Sequence, residues 1–221
     1  MRNLALIAAL GLAAPAAAQD GPAAAFEWLD ISATAPASEP VSATGLAPLM
    51  EQAPDWARLD DDRLLIATGR EPISGSTPTM IGRDVATGEY SASTLLDYAA
   101  LGEGDIAGLA AHAGPAQWIS IQVERIEPAD LVAVRLRNGD ASSPAGRLIY
   151  TTSLPGSYGQ RVRLRIDADG GRYRLLFAPE NGLWQILAED IAGPAGPGEG
   201  EPILIGLFGM DGADPPAPAG E

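Results

Sequence analysis

Residues 161–177 read RVRLRIDADGGRYRLLF, and the alternation in them is strict. Val162, Leu164 and Ile166 share one side of the chain, while Arg161, Arg163 and Arg165 share the other. After Asp169-Gly170-Gly171 the pattern resumes, with Tyr173, Leu175 and Phe177 on the apolar side and Arg172 and Arg174 on the polar side. A period of two with a Gly-rich reversal is a β-hairpin, because successive strand side chains point to opposite faces and glycine supplies the positive φ of the turn.

The same period continues outward. In QWISIQVERI, Ile119, Ile121 and Val123 form the inward set, and Trp118, Ser120, Gln122 and Glu124 the outward one. In LVAVRLRNGD, Val132, Val134 and Leu136 point in, Arg135 and Arg137 point out, and Asn138-Gly139 supplies turn chemistry. PILIGLFGM is almost continuously apolar, as expected of a strand covered on both faces. Leu95 to Ala111 has some helical spacing, but Gly102, Gly104 and Gly108 interrupt it. Many short strands with frequent turn signals predict an all-β, antiparallel two-sheet sandwich over 56–210. Residues 19–55 are rich in Ala, Pro, Ser and Thr and read mostly as a linker or N-terminal extension, with Phe26, Trp28 and Leu29 offering a short strand, and 211–221 read as a disordered tail.

The first eighteen residues read as an export signal. Arg2 is the positive n-region, Leu4 to Ala14 the apolar core, and Ala16-Ala17-Ala18 the small-residue cleavage site. That run is too short to span a bilayer core of roughly 30 Å, so a periplasmic or extracellular protein without a membrane span is expected. With no cysteine, an exported domain has neither disulfides nor thiolate metal sites and must be held by its core. A formal charge of −15 argues against non-specific binding of nucleic acid. All fourteen basic residues are arginine, and nine of them lie between Arg125 and Arg174, which leaves that span locally positive.

The opening of the sandwich carries a resemblance. Thr77-Pro78 through Gly82-Arg83, then Ala92 to Tyr98, Ala107-Gly108-Leu109 and Trp118 to Val123 follow one another in TPTMIGRDVATGEYSASTLLDYAALGEGDIAGLAAHAGPAQWISIQV. Downstream come RYRLLFAPENGLWQILAEDIAG and EPILIGLFGMDG. This series resembles the C-terminal concanavalin A-like domain of glycoside hydrolase family 43 β-xylosidases, over about Trp56 to Met210. Asp84 stands where that family carries a second arginine. The resemblance implies a concanavalin A-like jelly roll associated with plant or microbial polysaccharide. It also implies that the hydrolytic carboxylates belong to a five-bladed propeller preceding this domain, for which the chain has no room. The expectation is therefore a non-catalytic carbohydrate-associated module, binding polysaccharide or docking on a separate glycoside hydrolase.

His112 is the one histidine, and it sits between alanines with no nucleophile elbow anywhere, so it reads as exposed or satisfied rather than catalytic. One His and no Cys exclude the usual zinc site. Asp60 to Asp62 and the Asp167–Gly171 group admit structural calcium by their clustered oxygens, but turn chemistry accounts for both. A glycan hydrolase or lyase would need two carboxylates about 5 to 10 Å apart. Asp97, Glu103, Asp105, Glu124, Glu180 and Glu189 are candidates that spacing alone does not pair. For ligand binding, two devices stand out. Trp118 and Trp184 offer aromatic platforms for sugar rings. Arg161, Arg163, Arg165, Arg172 and Arg174 offer guanidinium forks, with Arg135 and Arg137 joining them if the strands neighbour each other, and such forks suit uronate-bearing as well as xylan-type glycans. Against the arginine reading stands a solvated outer sheet whose charges are balanced by acids on neighbouring strands.

Overall fold

A computed structural model of the 221-residue chain describes residues 22–34, 41–44, 54–61, 63–69, 71–75, 78–85, 88–194 and 202–211. The export signal read at 1–18 and the tail read at 211–221, save Asp211, lie outside the described residues. Strands dominate what is described. In chain order they are β1 (Ala23–Thr34), β2 (Val41–Thr44), β3 (Ala57–Asp60), β4 (Arg63–Ala67), β5 (Met80–Val85), β6 (Glu89–Asp97) and β7 (Ile106–Gly114). Then come β8 (Gln117–Glu124), β9 (Leu131–Asn138), β10 (Arg147–Ser153), β11 (Arg161–Asp169), β12 (Arg172–Pro179), β13 (Gln185–Ala192) and β14 (Ile203–Met210). The one helical element among the described residues is a 3-10 turn, Gly156–Tyr158, and no helix there is long and apolar enough to cross a membrane.

The strands form two antiparallel sheets. One runs β13-β12-β11-β6-β1-β4-β3, with β2 also paired to β1; the other runs β10-β9-β8-β7-β14-β5. The two-layer sandwich expected from the alternation is the architecture observed. The inward sets meet between the layers: Val162, Leu164, Ile166 and Leu175 from one sheet face Ile119, Ile121, Val123, Val132 and Val134 from the other, all of them fully buried. Gly170 and Gly171 take φ of 55° and 80° in the β11–β12 reversal, as a two-residue hairpin turn of this hand requires.

Two strands, β1 and β2, lie in the segment read mostly as a linker, where only a short strand around Phe26 to Leu29 was expected. β1 lies inside 19–55, yet it pairs with β4 along one side and β6 along the other, so it is central to its sheet. Phe26, Leu29 and Ile31 are in the core. A β-bulge between Phe26 and Leu29 explains the misreading. The extra residue puts two apolar side chains three positions apart on the same face, which breaks the period of two. The folded domain therefore begins well before residue 56.

The six-stranded sheet departs from expectation on its outer face. Trp118, Ser120, Gln122 and Glu124 do face away from the sandwich core, but they are buried rather than solvated. Trp118 packs with Ile73, Met80, Ala110 and Phe208 in a second apolar cluster. The segment carrying Ile73 is strapped down from both ends. Gly69 bridges Met210, the Asp211 amide donates to the Gly69 carbonyl at 2.8 Å, and His112 Nε2 lies 3.1 Å from the Ile73 carbonyl. Ser120, Gln122 and Glu124 satisfy one another in a ladder. Ser120 Oγ donates to Gln122 Oε1 at 2.8 Å, and Gln122 Nε2 donates to Glu124 Oε1 at 2.8 Å. Cover on both faces is why β14 is apolar almost throughout. The arginine-bearing Gly82-Arg83 stretch is β5, at the edge of this sheet. There, Gly82 lies opposite Gly206, and a methyl group on it would collide with the Ile205 carbonyl.

Phe26→Ala is expected to cost about 3–5 kcal/mol, the range for a buried phenylalanine. Leu183→Ala, at a side chain 88% exposed, should stay within about 0.5 kcal/mol of the parent. Urea unfolding checks both, and a small penalty for Phe26→Ala would show that β1 does not belong to the core.

Candidate ligand-binding face

The outer face of the eight-stranded sheet collects the arginine series. Antiparallel register sets Asp167 of β11 directly between Arg174 of β12 and Ser91 of β6. The five arginines read from the sequence, 161, 163, 165, 172 and 174, do lie on this one face. None stands as a free fork. Arg161 pairs with Glu27 and, at 3.0 Å, with Glu180. Arg163 donates to the carbonyls of Pro179 and Gly182. Arg165 Nε donates to Asp167 Oδ1 at 2.6 Å, and Arg174 Nη2 to Asp167 Oδ2 at 3.0 Å. Arg172 holds Asp190 twice, Nε on the carboxylate and Nη2 on the carbonyl, both at 2.7 Å. Arg135 and Arg137 do not join the series, because β9 belongs to the other sheet. Arg135 makes a two-armed pair with Glu124 at 2.7 and 3.2 Å, and Arg137 donates to the Pro115 carbonyl at 2.6 Å. The local positive charge counted along 125–174 is thus neutralised by Glu27, Glu124, Glu180 and Asp190, which arrive from outside that span.

The two tryptophans separate. Trp118 is 1% exposed beneath the strap and presents no ring face to a ligand, which corrects its reading as a platform. Its parity was right, but a covering segment from elsewhere in the chain closed the face over it. Trp184 sits at the β12–β13 connection and is half-buried. The Arg163 guanidinium carbon lies 4.6 Å from its ring centroid and that of Arg165 at 5.8 Å, so the indole is steadied by cation–π contact.

Arg165 also lines an adjoining groove of about 530 Å³ at the ends of β6, β11, β12 and β13. Ser91 and the arginines 165, 172 and 174 contribute to it together with five carboxylates, and Tyr90 and Tyr173 lie among its lining residues. The two phenols hydrogen-bond at 3.1 Å and cross edge-on at 73°, and burial pushes the Tyr173 hydroxyl up to about 12. Arg165 is common to platform and groove. The sequence held no signal for the groove, since Ser91 meets Asp167 only through long-range pairing of β6 with β11.

Burial would raise the Asp167 carboxyl, but hydrogen bonds from Arg165, Ser91 and Arg174 outweigh it and hold the group below the usual carboxylate range. A general acid for glycoside cleavage needs the opposite shift. Of the six carboxylates named as hydrolytic candidates, Glu189 alone lines the groove. Glu124 and Glu180 are bound to arginines, Asp97 accepts the Ala99 amide at 3.0 Å, Asp105 is buried and accepts the Gly102 amide at 2.8 Å, and Glu103 is exposed in a loop. Burial lowers His112 despite its bond to Ile73, and its partner is the strap backbone. Among the described residues no three His, Asp or Glu side chains gather as metal ligands. Asp61 takes φ of 54° in the β3–β4 turn, Asp62 lies outside the described residues, and Asp167 spends its oxygens on arginines.

Because the Asp167 carboxyl sits below its unfolded value of about 3.9, its stabilising share is full above that pH and is lost as pH falls through the lower folded value. Asp167→Asn should therefore destabilise the domain at pH 7 by about 1 kcal/mol. This is below the roughly 1.5–3 kcal/mol of buried charged hydrogen bonds, since Arg165 and Arg174 are a third to a half exposed and solvent screens them. The gap to the parent should close as pH drops below about 4. Thermal melts across pH check this, and a gap that does not depend on pH would refute the ion-pair role.

Residues 49–194 match the family of β-xylosidase C-terminal concanavalin A-like domains. Solved structures share the fold. The xylan β-1,4-xylosidase from Bacillus halodurans C-125 superposes with a TM-score of 0.59 at 16% identity, over 71% of this chain and 31% of that one. A GH43_12 protein retrieved from a capybara gut metagenome gives 0.58 at 14% identity, over 71% and 30%. A functionally unknown protein from Saccharomyces cerevisiae gives 0.52 at 15% identity, over 72% of this chain and 84% of its own. No curated protein matches the chain. The chain spans about 30% of the length of the two glycoside hydrolase family 43 proteins, and what it matches in them is one domain. With two thirds of its residues matched, this chain belongs to the family of β-xylosidase C-terminal concanavalin A-like domains.

Proposed function

We propose that the chain is an exported, non-catalytic carbohydrate-associated module that holds polysaccharide on the outer face of its eight-stranded sheet. One observation carries the reading: Arg165 lies over the Trp184 ring and also lines the groove, so one side chain touches both. Sugar rings present an apolar face and a rim of hydroxyls. An indole steadied by a guanidinium takes the first, and a wall of carboxylate and guanidinium groups takes the second. Family membership supports a polysaccharide ligand, and the sequence at 1–18 supports export. Xylan is the first polymer to try, because the solved relative from Bacillus halodurans is named for xylan. Cleavage is not part of the proposal, since the groove's central carboxylate, Asp167, is paired with two arginines and held below the usual carboxylate range.

Affinity electrophoresis in gels containing xylan, arabinan or pectin tests this. Retarded migration is expected in at least one gel, without release of reducing sugar from any. Trp184→Ala should weaken the retardation roughly tenfold in affinity, equivalent to about 1.4 kcal/mol. Unretarded migration in every gel would remove the proposal.

A further inference from the structure

The sequence counts arginines on this face and so points to anionic, uronate-bearing glycans, whereas the structure shows what those arginines hold. In the groove, Arg165 and Arg174 share the two oxygens of Asp167, and Arg172 is taken by the carboxylate and carbonyl of Asp190. A ligand carboxylate entering there has to displace Asp167 or Asp190 from its arginine. Three further carboxylates, Glu89, Asp169 and Glu189, line the same groove. Three guanidinium groups therefore face five carboxylates, and the lining carries a net negative charge. The whole chain, at −15, adds long-range repulsion of the same sign.

Hydroxyl groups meet none of these penalties. Each guanidinium has five N–H donors and spends only some of them on its partner. Each paired carboxylate keeps lone pairs for a donor. The side chains of Arg172 and Arg174 are 50% exposed, so their remaining donors are within reach of the groove. A vicinal diol, which donates and accepts from adjacent carbons, fits a wall of alternating acceptor and donor groups.

From this arrangement, and resting on the binding reading above, we infer that the groove selects an uncharged, hydroxyl-rich glycan and discriminates against uronate-bearing chains. The arginines are internal counter-ions that shape the groove and leave no fork for a carboxylate ligand.

Two polymers with the same β-1,4-xylan backbone, neutral arabinoxylan and glucuronoxylan, separate the outcomes. The full chain should bind arabinoxylan at least about tenfold more tightly at low salt, and the ratio should shrink at 0.5 M salt, where the Debye length falls well below about 8 Å. Glu89→Gln combined with Glu189→Gln should narrow the low-salt ratio by relieving the repulsion. Both carboxylates lie at the groove rather than in the core, and a melt comparable to the parent's confirms that the variant is folded. Equal or tighter binding of glucuronoxylan by the parent overturns the inference while leaving the binding function standing. Binding to neither polymer overturns the binding reading and the inference together.

Discussion

Apolar contact between two pleated layers is what closes this molecule, because the chain has no cysteine and hence no disulfide. Each fully buried Val, Leu or Ile contributes about 1.5–3 kcal/mol of transfer free energy, and both sheets supply such residues across the whole seam. The seam explains the topology. β1 and β14 are both interior strands, one in each sheet, so segments far apart in sequence complete the two layers. It explains the alternation too, since only strands with one apolar face can stack. The exception is the outer face of the six-stranded sheet, where a strap around Ile73 adds a partial third layer and a polar ladder satisfies itself without water.

The charged groups divide between the sheets according to what covers them. On the six-stranded sheet Glu124 is 7% exposed and needs the two-armed grip of Arg135 to be tolerated there. On the eight-stranded sheet the arginines are a third to a half exposed, and their pairs contribute modestly to stability. Their effect is positional. Arg163 and Arg165 steady Trp184, while Asp167 and Asp190 fix the three guanidinium groups of the groove. Arginine suits this place because its planar fork can hold a carboxylate while still stacking on an aromatic ring.

Local patterns were legible in the sequence, and long-range ones were not. The β11–β12 hairpin could be read residue by residue because its partners are adjacent and its turn glycines are explicit. The family series from Thr77 to Val123, and the sandwich it implies, were legible for the same reason. Only a short strand at Phe26, Trp28 and Leu29 was legible in β1, because its bulge defeats a period-two reading and its neighbours β4 and β6 come later in the chain. Trp118 had the correct parity, but parity does not reveal that the segment carrying Ile73 packs over it. The arginine face was placed correctly, and the balancing acids weighed against free forks are there, although which ones they are was not legible because Glu27, Glu180 and Asp190 lie outside the basic span. The groove was invisible because Ser91 and Asp167 meet only across paired strands.

Chemical-shift mapping of the isotope-labelled chain with a neutral xylo-oligosaccharide is the most direct measurement. The indole N–H of Trp184 and the amides of Ser91, Arg165 and Arg174 should move together on titration, while the buried indole N–H of Trp118 stays fixed. Shifts confined to the six-stranded sheet, or a Trp118 signal that moves while Trp184 does not, would contradict placement of the ligand on the arginine-bearing face.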